Sequence, residues 1–273
     1  MSAESAPRRL CLITGASAGI GAAFARIYAS HGYDLALVAR REDRLKALAE
    51  QIKLRSAVEA LVIPADLSDP AAGEAVFAAI AGQGRKVSAL VNNAGYGVPG
   101  RFGVPDWAAH AHMLQLMLTS VCELTHRALP GMLEDGFGRV VNVASLAGLM
   151  PGSPGTTLYA PVKAFLVRFS ESLHVETLNT GVHVTALCPG FTYTEFHDVN
   201  QTRRRLERIF PPFMWLGADE VAAAGYEAVE ANRPICVTGA PNRAIAAVAK
   251  LVPDEWALAL MSRWMAPGAR RGR

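Results

Sequence analysis

A glycine-rich turn near the amino terminus constrains the fold of this chain more than any other feature. The run Thr14-Gly-Ala-Ser-Ala-Gly-Ile-Gly21 follows an apolar, β-branched stretch at 9–14 and precedes small and apolar residues at 19–31. Glycines at this spacing let the backbone turn tightly and approach a ligand, and the helix behind them directs free N–H groups toward a phosphate. The pattern therefore predicts a strand, a turn and a helix that together bind a dinucleotide.

The same alternation of strand and helix patterns continues along most of the chain. Short apolar runs bounded by turn residues predict strands, and the longer patterns between them predict helices. Because the strand runs are almost continuously apolar, we expect a parallel α/β sheet covered by helices on both faces. The predicted strands are 9–14, 34–40, 58–66, 87–92, 139–145, 182–188 and 235–238, and the predicted helices are 19–31, 42–54, 70–82, 106–134, 158–179 and 218–231.

Two segments fall outside this alternation. Residues 191–217 are rich in aromatic residues, proline and arginine, and a loop of this length in a compact domain is often a lid over a site. The apolar stretch 244–265 is interrupted by charged residues and a proline, which excludes a membrane span. It could pack on the domain, form a subunit interface or touch a membrane surface, in that order of preference. We therefore divide the chain into residues 1–240, which include the lid, and a C-terminal apolar helical extension with a basic tail, 241–273.

The composition argues against several other classes of protein. The formal net charge of the 273 residues is only +3, and the basic residues are not concentrated on one predicted helix, so we expect no nucleic-acid binding. No apolar leader precedes the first glycines, which favours a cytoplasmic protein. The sequence has no HExxH and no CxxC, which argues against a metal site or a disulfide framework. The cysteines are widely spaced, at Cys11, Cys122, Cys188 and Cys236.

Two arginines follow the second predicted strand, which ends Leu37-Val-Ala-Arg-Arg41. Folds that prefer NAD place an acidic residue about twenty residues after the glycine turn, where it binds the ribose hydroxyls. Arginine removes a repulsive charge and supplies a donor fork for a 2′-phosphate, so the sequence predicts NADP(H), with Arg40 as the first contact and Arg41 as the second. The alternative is that both arginines only begin the next helix, with Glu42 and Asp43 as its acidic first turn.

A tyrosine and a lysine occur four residues apart in Leu158-Tyr-Ala-Pro-Val-Lys-Ala-Phe165. On a helix these positions share one face. Pro161 is tolerated only in the first turn, where it breaks no internal hydrogen bond, so Tyr159 should lie at the start of the helix and the pair at its mouth. Taken alone, so short a pattern favours a core tyrosine beside a solvated lysine, and the rest of the sequence must decide.

Four motifs in this order resemble the short-chain dehydrogenase/reductase family of the classical type, over residues 9 to about 240. They are the glycine turn, Asn92-Asn-Ala-Gly95, Ser145 at the end of the fifth strand, and the YxxxK pair. The resemblance implies a single Rossmann-fold domain with a doubly wound seven-stranded parallel sheet. It further implies hydride transfer between a nicotinamide and a carbonyl or hydroxyl group, and a homodimer or homotetramer.

The resemblance also implies roles for individual residues. Tyr159 would be the general acid/base, Lys163 would activate it, and Ser145 would orient the carbonyl oxygen. The positions implied to contact the cofactor are Gly15, Ser17, Gly19, Ile20, Gly21, Arg40, Arg41, Asp66, Leu67, Asn93, Ala94, Gly95, Tyr159, Lys163, Pro189, Gly190, Thr192 and Thr194.

The implied role of Tyr159 sets an electrostatic requirement. A phenol titrates near pH 10, so exchange of its proton near neutrality requires a pKa lowered by about 2 to 3 units. A lysine about 4 Å away supplies enough only where water is excluded, because the Coulomb energy is about 1 kcal/mol in water and about 4 kcal/mol in a partly dry site. We therefore expect Lys163 to lower the pKa of Tyr159 inside a dehydrated cleft.

One position departs from the family pattern. Met117 stands where members of the family have an asparagine that helps to hold a water in the proton relay. A thioether is at best a weak acceptor, so the relay would need Gln115, Thr119 or a backbone carbonyl instead.

The leading functional hypothesis is an NADP(H)-dependent ketoreductase or alcohol dehydrogenase that acts on an apolar carbonyl or hydroxyl compound. Aromatic residues of the lid and apolar residues after the fourth and fifth strands support this substrate class, although each could also be ordinary packing. The alternative, which Met117 motivates, is a catalytically weak NADP-binding regulator or scaffold. The apolar residues are Tyr96, Val98, Phe102, Leu146, Leu149 and Met150.

Overall fold

The structure, a computed structural model, describes residues 8–196, 200 and 203–264. Residues 197–199 and 201–202 of the predicted lid lie outside the described residues. The same holds for residues 265–273, which end the predicted C-terminal extension.

A seven-stranded parallel sheet forms the centre of the molecule, with strand order β3-β2-β1-β4-β5-β6-β9. Its strands are β1 (Leu10–Thr14), β2 (Asp34–Ala39), β3 (Ala60–Pro64), β4 (Val87–Asn92), β5 (Gly138–Val143), β6 (Val182–Cys188) and β9 (Ile235–Val237). The order reverses between β1 and β4, and open α/β sheets bind ligands beyond the carboxyl ends of the strands at such a reversal. The predicted seven-stranded, doubly wound fold is confirmed.

Helices cover both faces of this sheet. The helices of the described residues are α1 (Gly19–Ser30), α2 (Glu42–Arg55), α3 (Ala72–Ala81), α4 (Trp107–Leu114), α5 (Ser120–Glu134), α6 (Tyr159–Glu176), α7 (Arg203–Ile209), α8 (Ala218–Glu230), α9 (Ala240–Ala249) and α10 (Asp254–Trp264). Strand β1 shows why both layers are needed. Cys11 and Ile13 lie in the hydrophobic cluster under α1, α2 and α8, whereas Leu10 and Leu12 lie in the cluster under α3 and α5. The four consecutive apolar residues of this strand are thus buried on both sides of the sheet.

The long helix predicted over 106–134 is interrupted. A π-helical turn, Gln115–Thr119, separates α4 from α5, and the backbone N–H of Ser120 bonds to the carbonyl of Gln115. The predicted helix over 106–134 agrees with the structure in extent, since residues 107–134 are helical throughout. The π-helical turn inside it was not predicted, because no proline or glycine in the turn marks it. Such π-turns occur frequently at functional sites.

The predicted loop at 191–217 begins and ends in short strands. Strand β7 (Phe191–Tyr193) pairs in parallel with β8 (Trp215–Gly217), and between them lie α7 and a short 3₁₀ turn, Pro212–Met214. The aromatic residues stack on this ribbon: the ring of Trp215 lies 5.2 Å from that of Phe191 and 5.1 Å from that of Tyr193. The prediction of an irregular loop is therefore wrong at both ends of the segment.

The end of the chain is helical as far as it is described. Asn242 and Ala246 of α9 are buried, whereas Trp256 and Leu258 of α10 are largely exposed. Among the described helices, none has the length and hydropathy needed to cross a membrane.

Candidate active site

The glycine turn connects β1 to α1 as predicted. Gly15 and Gly19 have φ values of 66° and 56°, in the left-handed region where a side chain is strained. A Cβ atom on Gly21 would lie 2.4 Å from the carbonyl oxygen of Gly15, so the first turn of α1 approaches the loop too closely for any other residue. No side chain caps the amino terminus of α1, and its first turn contains no acidic residue. Its free N–H groups and positive dipole end can therefore receive an anion.

The turn after β4 is joined to the glycine turn through Thr14. Its hydroxyl accepts hydrogen bonds from the backbone N–H groups of Asn93 (2.9 Å) and Ala94 (3.0 Å) and donates to the carbonyl of Val91 (3.3 Å). The side-chain amide of Asn93 donates to the carbonyls of Thr14 (2.9 Å) and Gly15 (3.3 Å). These bonds span the reversal between β1 and β4 and fix the floor of the crevice. Sequence analysis did not single out Thr14.

A buried polar ladder lies beneath this floor. The side-chain amide of Asn92 donates to Thr125 (3.1 Å) and to Asn142 (2.8 Å), and the amide of Asn142 donates to Ser170 (2.9 Å). The four side chains connect α5, β4, β5 and α6. Because a buried polar group without a partner is costly, this ladder fixes the two helices relative to the sheet. The side chain of Asn92 therefore bonds within the buried ladder, whereas that of Asn93 bonds to the glycine turn.

The arginines after β2 occupy different environments. The guanidinium of Arg41 donates to the hydroxyl of Ser17 through Nε (3.2 Å) and Nη2 (3.0 Å). Arg40 instead faces Asp66, 3.8 Å away. Of the two arginines, Arg41 is the one that contacts the glycine turn.

Asp66 lies beyond β3, next to the buried side chain of Leu67. Its carboxylate accepts hydrogen bonds from the backbone N–H (3.0 Å) and the hydroxyl (2.7 Å) of Ser68. Burial raises the pKa of Asp66, but the bonds from Ser68 and the charge of Arg40 outweigh it, so the pKa lies below its usual range. Asp66 is thus held as a carboxylate.

Ser145 and Tyr159 approach each other from β5 and α6. Ser145 has an extended backbone, and its hydroxyl accepts a bond from the backbone N–H of Ala147 (3.1 Å), which caps the 3₁₀ turn Leu146–Leu149. Tyr159 is the first residue of α6, as Pro161 in the first turn predicted. Burial raises the pKa of Tyr159 to about 12, and the nearby hydroxyl of Ser145 acts in the opposite direction.

Lys163 lies one helical turn further along α6 and is 5% exposed. Its ammonium donates to the carbonyl of Val143 (2.7 Å) and lies 5.7 Å from the centroid of the Tyr159 ring. Burial lowers the pKa of Lys163 to about 8, against a small opposing contribution from Cys188. The alternative of a solvated lysine is therefore wrong.

We expected Lys163 to lower the pKa of Tyr159. With the protein's own groups the pKa is raised instead, so this prediction is wrong. The lysine is directed toward Val143, and desolvation of the phenol dominates. Burial disfavours the charged form of each group, so it raises the pKa of Tyr159 and lowers the pKa of Lys163.

Met117 is 1% exposed and packs in an apolar cluster with Met113 and Val162, onto which Tyr159 also packs. A Cβ atom on Gly95 would lie 3.3 Å from its Cε and 3.4 Å from its Sδ. The thioether is therefore pressed against the turn after β4, at the π-helical break.

The turn after β6 completes the site. A Cβ atom on Gly190 would lie 2.3 Å from the amide nitrogen of Asn242, which is buried and donates to the carbonyl of Thr238 (2.9 Å). The carbonyl of Pro189 accepts from the backbone N–H of Leu146 (2.8 Å), which connects this turn to the segment after Ser145. Sequence analysis missed Asn242, because nothing in the sequence relates position 242 to position 190.

Thr192 and Thr194 follow on β7 and beyond it. Thr192 is buried, and its hydroxyl donates to the carbonyl of Gly190 (3.2 Å). Thr194 lies over the glycine turn, since a Cβ atom on Gly19 would lie 3.0 Å from its Cγ2. The segment therefore crosses from the end of β6 to the start of α1. This is the path along which an extended dinucleotide lies in such folds.

The fold and this site define a dinucleotide-dependent oxidoreductase. The sequence profile of the short chain dehydrogenase family matches residues 9–205. The chain belongs to this family.

Relatives and solved structures agree with the assignment. Sulfoacetaldehyde reductase 2 of Chromohalobacter salexigens is 37% identical over 192 residues, which cover 68% of this chain and 74% of that protein. The NADP-dependent 3-hydroxy acid dehydrogenase YdfG of Salmonella typhi is 31% identical over 236 residues, covering 85% and 86%. A short-chain dehydrogenase from Sphingobium yanoikuyae, solved in complex with NADPH, has a TM-score of 0.78 at 30% identity and covers 97% of this chain and 100% of that one.

Proposed function

We propose that the protein is an NADP(H)-dependent ketoreductase for apolar carbonyl compounds, with Tyr159 as the general acid/base. The observation that carries the proposal is the proximity of the Ser145 and Tyr159 hydroxyls at the start of α6, with the buried ammonium of Lys163 one helical turn further along the same helix. This is the donor arrangement that a carbonyl oxygen requires as it takes up negative charge.

The residues present fit NADP(H). The uncapped, acid-free amino terminus of α1 suits a pyrophosphate, and close approach of the backbone is possible at Gly15 and Gly19. The fork of Arg41 on Ser17 suits a 2′-phosphate, because guanidinium groups bind phosphate through two parallel bonds. This geometry favours Arg41 over Arg40 as the principal contact. The names of two similar proteins, one NADP-dependent and one solved with NADPH, support the same cofactor.

Ser145, Tyr159 and Lys163 each have one role in the proposed reaction. NADPH supplies the hydride that reduces the carbonyl carbon. Ser145 donates a hydrogen bond to the carbonyl oxygen and holds it next to Tyr159. The hydroxyl of Tyr159 transfers its proton to that oxygen as the C=O bond becomes a C–O bond, so one hydride and one proton convert the ketone to the alcohol. Lys163 keeps a positive charge beneath the resulting phenolate.

The protein's own groups favour the reductive direction. With a pKa of about 12, Tyr159 is a neutral phenol throughout the physiological range and is ready to donate a proton. Oxidation of an alcohol would require the phenolate and therefore positive charge beyond what Lys163 supplies. We therefore assign Tyr159 primarily the role of an acid.

An apolar substrate is supported by the surroundings of Tyr159. The ring of Phe196 lies 5.7 Å from that of Tyr159, which brings an aromatic residue of the predicted lid against the proposed acid. Tyr96 and Val98, after β4, pack on the cluster that contains Met117. Phe102 is 48% exposed and packs against the ring of His110. Burial of apolar surface is the main source of affinity for small ligands.

The test is NADPH oxidation with a panel of apolar ketones, with sulfoacetaldehyde included because a similar protein is named for it. Tyr159→Phe should lower the rate by about 100- to 10,000-fold, the usual contribution of a general acid, with NADPH binding retained. Tyr226→Phe is the matched control, because this tyrosine packs on Tyr28 away from the site. If NADPH binds and no carbonyl compound is reduced, the catalytically weak binding protein is favoured instead.

A further inference from the structure

We propose that Glu195 is a positioning residue that connects the arginines at the start of α2 to the segment 194–196. Through this connection an anion bound at Arg41 also fixes the part of the site that lies over Tyr159. The inference rests on the proposed use of NADP(H) and goes beyond it, because it assigns the 2′-phosphate an effect on the nicotinamide end of the site.

Glu195 bonds both arginines at once. One carboxylate oxygen accepts from Nη1 of Arg41 (2.9 Å), and the other accepts from Nη1 of Arg44 (2.6 Å). The bonds from Arg44 and Arg41 lower the pKa of Glu195 below its usual range, so the group is a carboxylate at neutral pH. These ion pairs join positions more than 150 residues apart in the sequence. The other ion pair on α2 among the described residues, Lys46 with Glu42, is local.

The neighbours of Glu195 in the chain lie against the reactive part of the site. Thr194 covers Gly19 of the glycine turn, and its carbonyl accepts a bond from Nη2 of Arg203 (2.6 Å). Phe196 packs on the ring of Tyr159. Three consecutive residues therefore contact the phosphate turn, the arginines and the proposed acid. A shift of the central residue moves the other two.

Arg41 can hold a phosphate without releasing Glu195. Its Nε and Nη2 face Ser17, and only Nη1 is engaged by the carboxylate. A 2′-phosphate at Ser17 would take the first two donors and leave the third in place. The charges permit this, because Arg40, Arg41 and Arg44 face only the two carboxylates of Asp66 and Glu195 among their described ion pairs. One positive charge is left for the incoming anion.

The contribution of these ion pairs to the stability of the fold is expected to be small. All three side chains are between 43% and 45% exposed, and exposed ion pairs change equilibria by at most about fivefold. The proposal therefore predicts a local effect on the segment and not a loss of folding.

Amide hydrogen exchange of the full-length protein tests the connection directly. The probes are 2′,5′-ADP, which carries the 2′-phosphate, and 5′-ADP, which lacks it; neither contains a nicotinamide. In the wild type, saturating 2′,5′-ADP should slow exchange of residues 191–196 several-fold more than saturating 5′-ADP. In Glu195→Gln this difference should disappear, although 2′,5′-ADP still binds.

Glu42→Gln is the matched control. It removes one negative charge next to Arg41, but Glu42 pairs with Lys46 and not with the 194–196 segment. This variant should keep the wild-type difference between the two probes. The proposal is overturned if Glu195→Gln retains that difference, if Glu42→Gln also loses it, or if both probes protect the wild type equally.

Turnover supplies a second readout. In Glu195→Gln, the ratio of kcat with NADPH to kcat with NADH should fall toward one, while Glu42→Gln keeps the wild-type ratio. An unchanged ratio in Glu195→Gln contradicts the proposal.

Failure of the proposed function is recognised separately. If wild-type protein does not bind 2′,5′-ADP, the cofactor assignment fails and the inference fails with it. If it binds but reduces no carbonyl compound, hydrogen exchange alone decides the inference.

Discussion

The backbone of Gly148 is packed against the backbone of Lys163. A Cβ atom on Gly148 would lie 2.6 Å from the carbonyl carbon of Lys163 and 2.7 Å from its oxygen. The 3₁₀ turn that Ser145 caps is thereby held directly on the first turns of α6, which begins with Tyr159. The distance between the hydroxyls of Ser145 and Tyr159 thus depends on a backbone contact that only glycine at position 148 allows.

Gly148→Ala is therefore expected to damage the site more than the fold. The new methyl group meets main-chain atoms that cannot rotate away, and such overpacking costs about 1–3 kcal/mol of unfolding free energy. Because a displacement of about 1 Å between reacting groups can reduce a rate about 100-fold, kcat should fall by about that factor. Urea unfolding and kcat measure the two effects.

Gly152→Ala is the control for this change. No atom lies within 4 Å of the position that its Cβ would occupy, and Gly152 does not have a positive φ. It should retain wild-type stability and turnover. Equal behaviour of the two alanine variants would contradict the role given to Gly148.

The parts of the fold that could be predicted are those with local causes. Each predicted strand of the main sheet agrees with the structure to within two residues, because apolar runs reflect burial of the strand itself. Tyr159 begins α6 because Pro161 permits only a helix start. The glycine turn was equally predictable, since its left-handed φ values require glycine.

The parts that could not be predicted depend on contacts between distant segments. The π-helical turn at 115–119 and the pairing of β7 with β8 have no local signal. The same holds for the contacts of Gly148 with α6 and of Glu195 with Arg41. The lower pKa expected for Tyr159 was wrong because the sequence could not show how strongly burial disfavours the phenolate, nor that the ammonium of Lys163 bonds to Val143. Oligomeric state, cellular location and the division at residue 240 stay predictions.

The buried ammonium of Lys163 predicts a specific dependence of stability on pH. Its pKa is about 8 in the folded protein against 10.5 for an unperturbed lysine, so between these values the unfolded chain binds more protons than the folded one. Stability should therefore rise with pH through this window, by at most about 3 kcal/mol. Tyr159 contributes with the opposite sign above pH 10, where the folded protein retains a proton that the unfolded chain loses.

Lys163→Met isolates this contribution. Unfolding free energies of the wild type and the variant, measured by urea titration between pH 7 and pH 10, give a difference from which titrating groups distant from Lys163 cancel. The wild type should gain stability relative to the variant as the pH rises. A constant difference would show that the pKa of Lys163 is not lowered by folding.

Met117→Asn is expected to destabilise the protein without raising turnover. The side chain is buried among Met113, Val162 and the Gly95 turn, so an amide there loses its hydration in apolar surroundings, at a cost of about 1–3 kcal/mol. Met117→Leu keeps the volume and should cost less than about 1.5 kcal/mol. Thermal or urea unfolding ranks the variants. A many-fold increase in kcat for Met117→Asn would instead show that the methionine impairs a proton relay.

Arg41 and Arg40 should differ in their effect on cofactor choice. The Arg41 fork faces Ser17 in the glycine turn, whereas Arg40 lies 3.8 Å from Asp66, at the distance limit of an ion pair. Hydrogen bonds from a charged donor to a phosphate contribute about 1.5–3 kcal/mol, so Arg41→Ala should raise the Kd of NADPH about 10- to 100-fold. The Kd of NADH, which has no 2′-phosphate, should change little. Fluorescence titrations with both nucleotides measure the ratio of the two Kd values, and Arg40→Ala is the comparison. If Arg40→Ala raises the Kd of NADPH more than Arg41→Ala does, Arg40 is the principal phosphate contact.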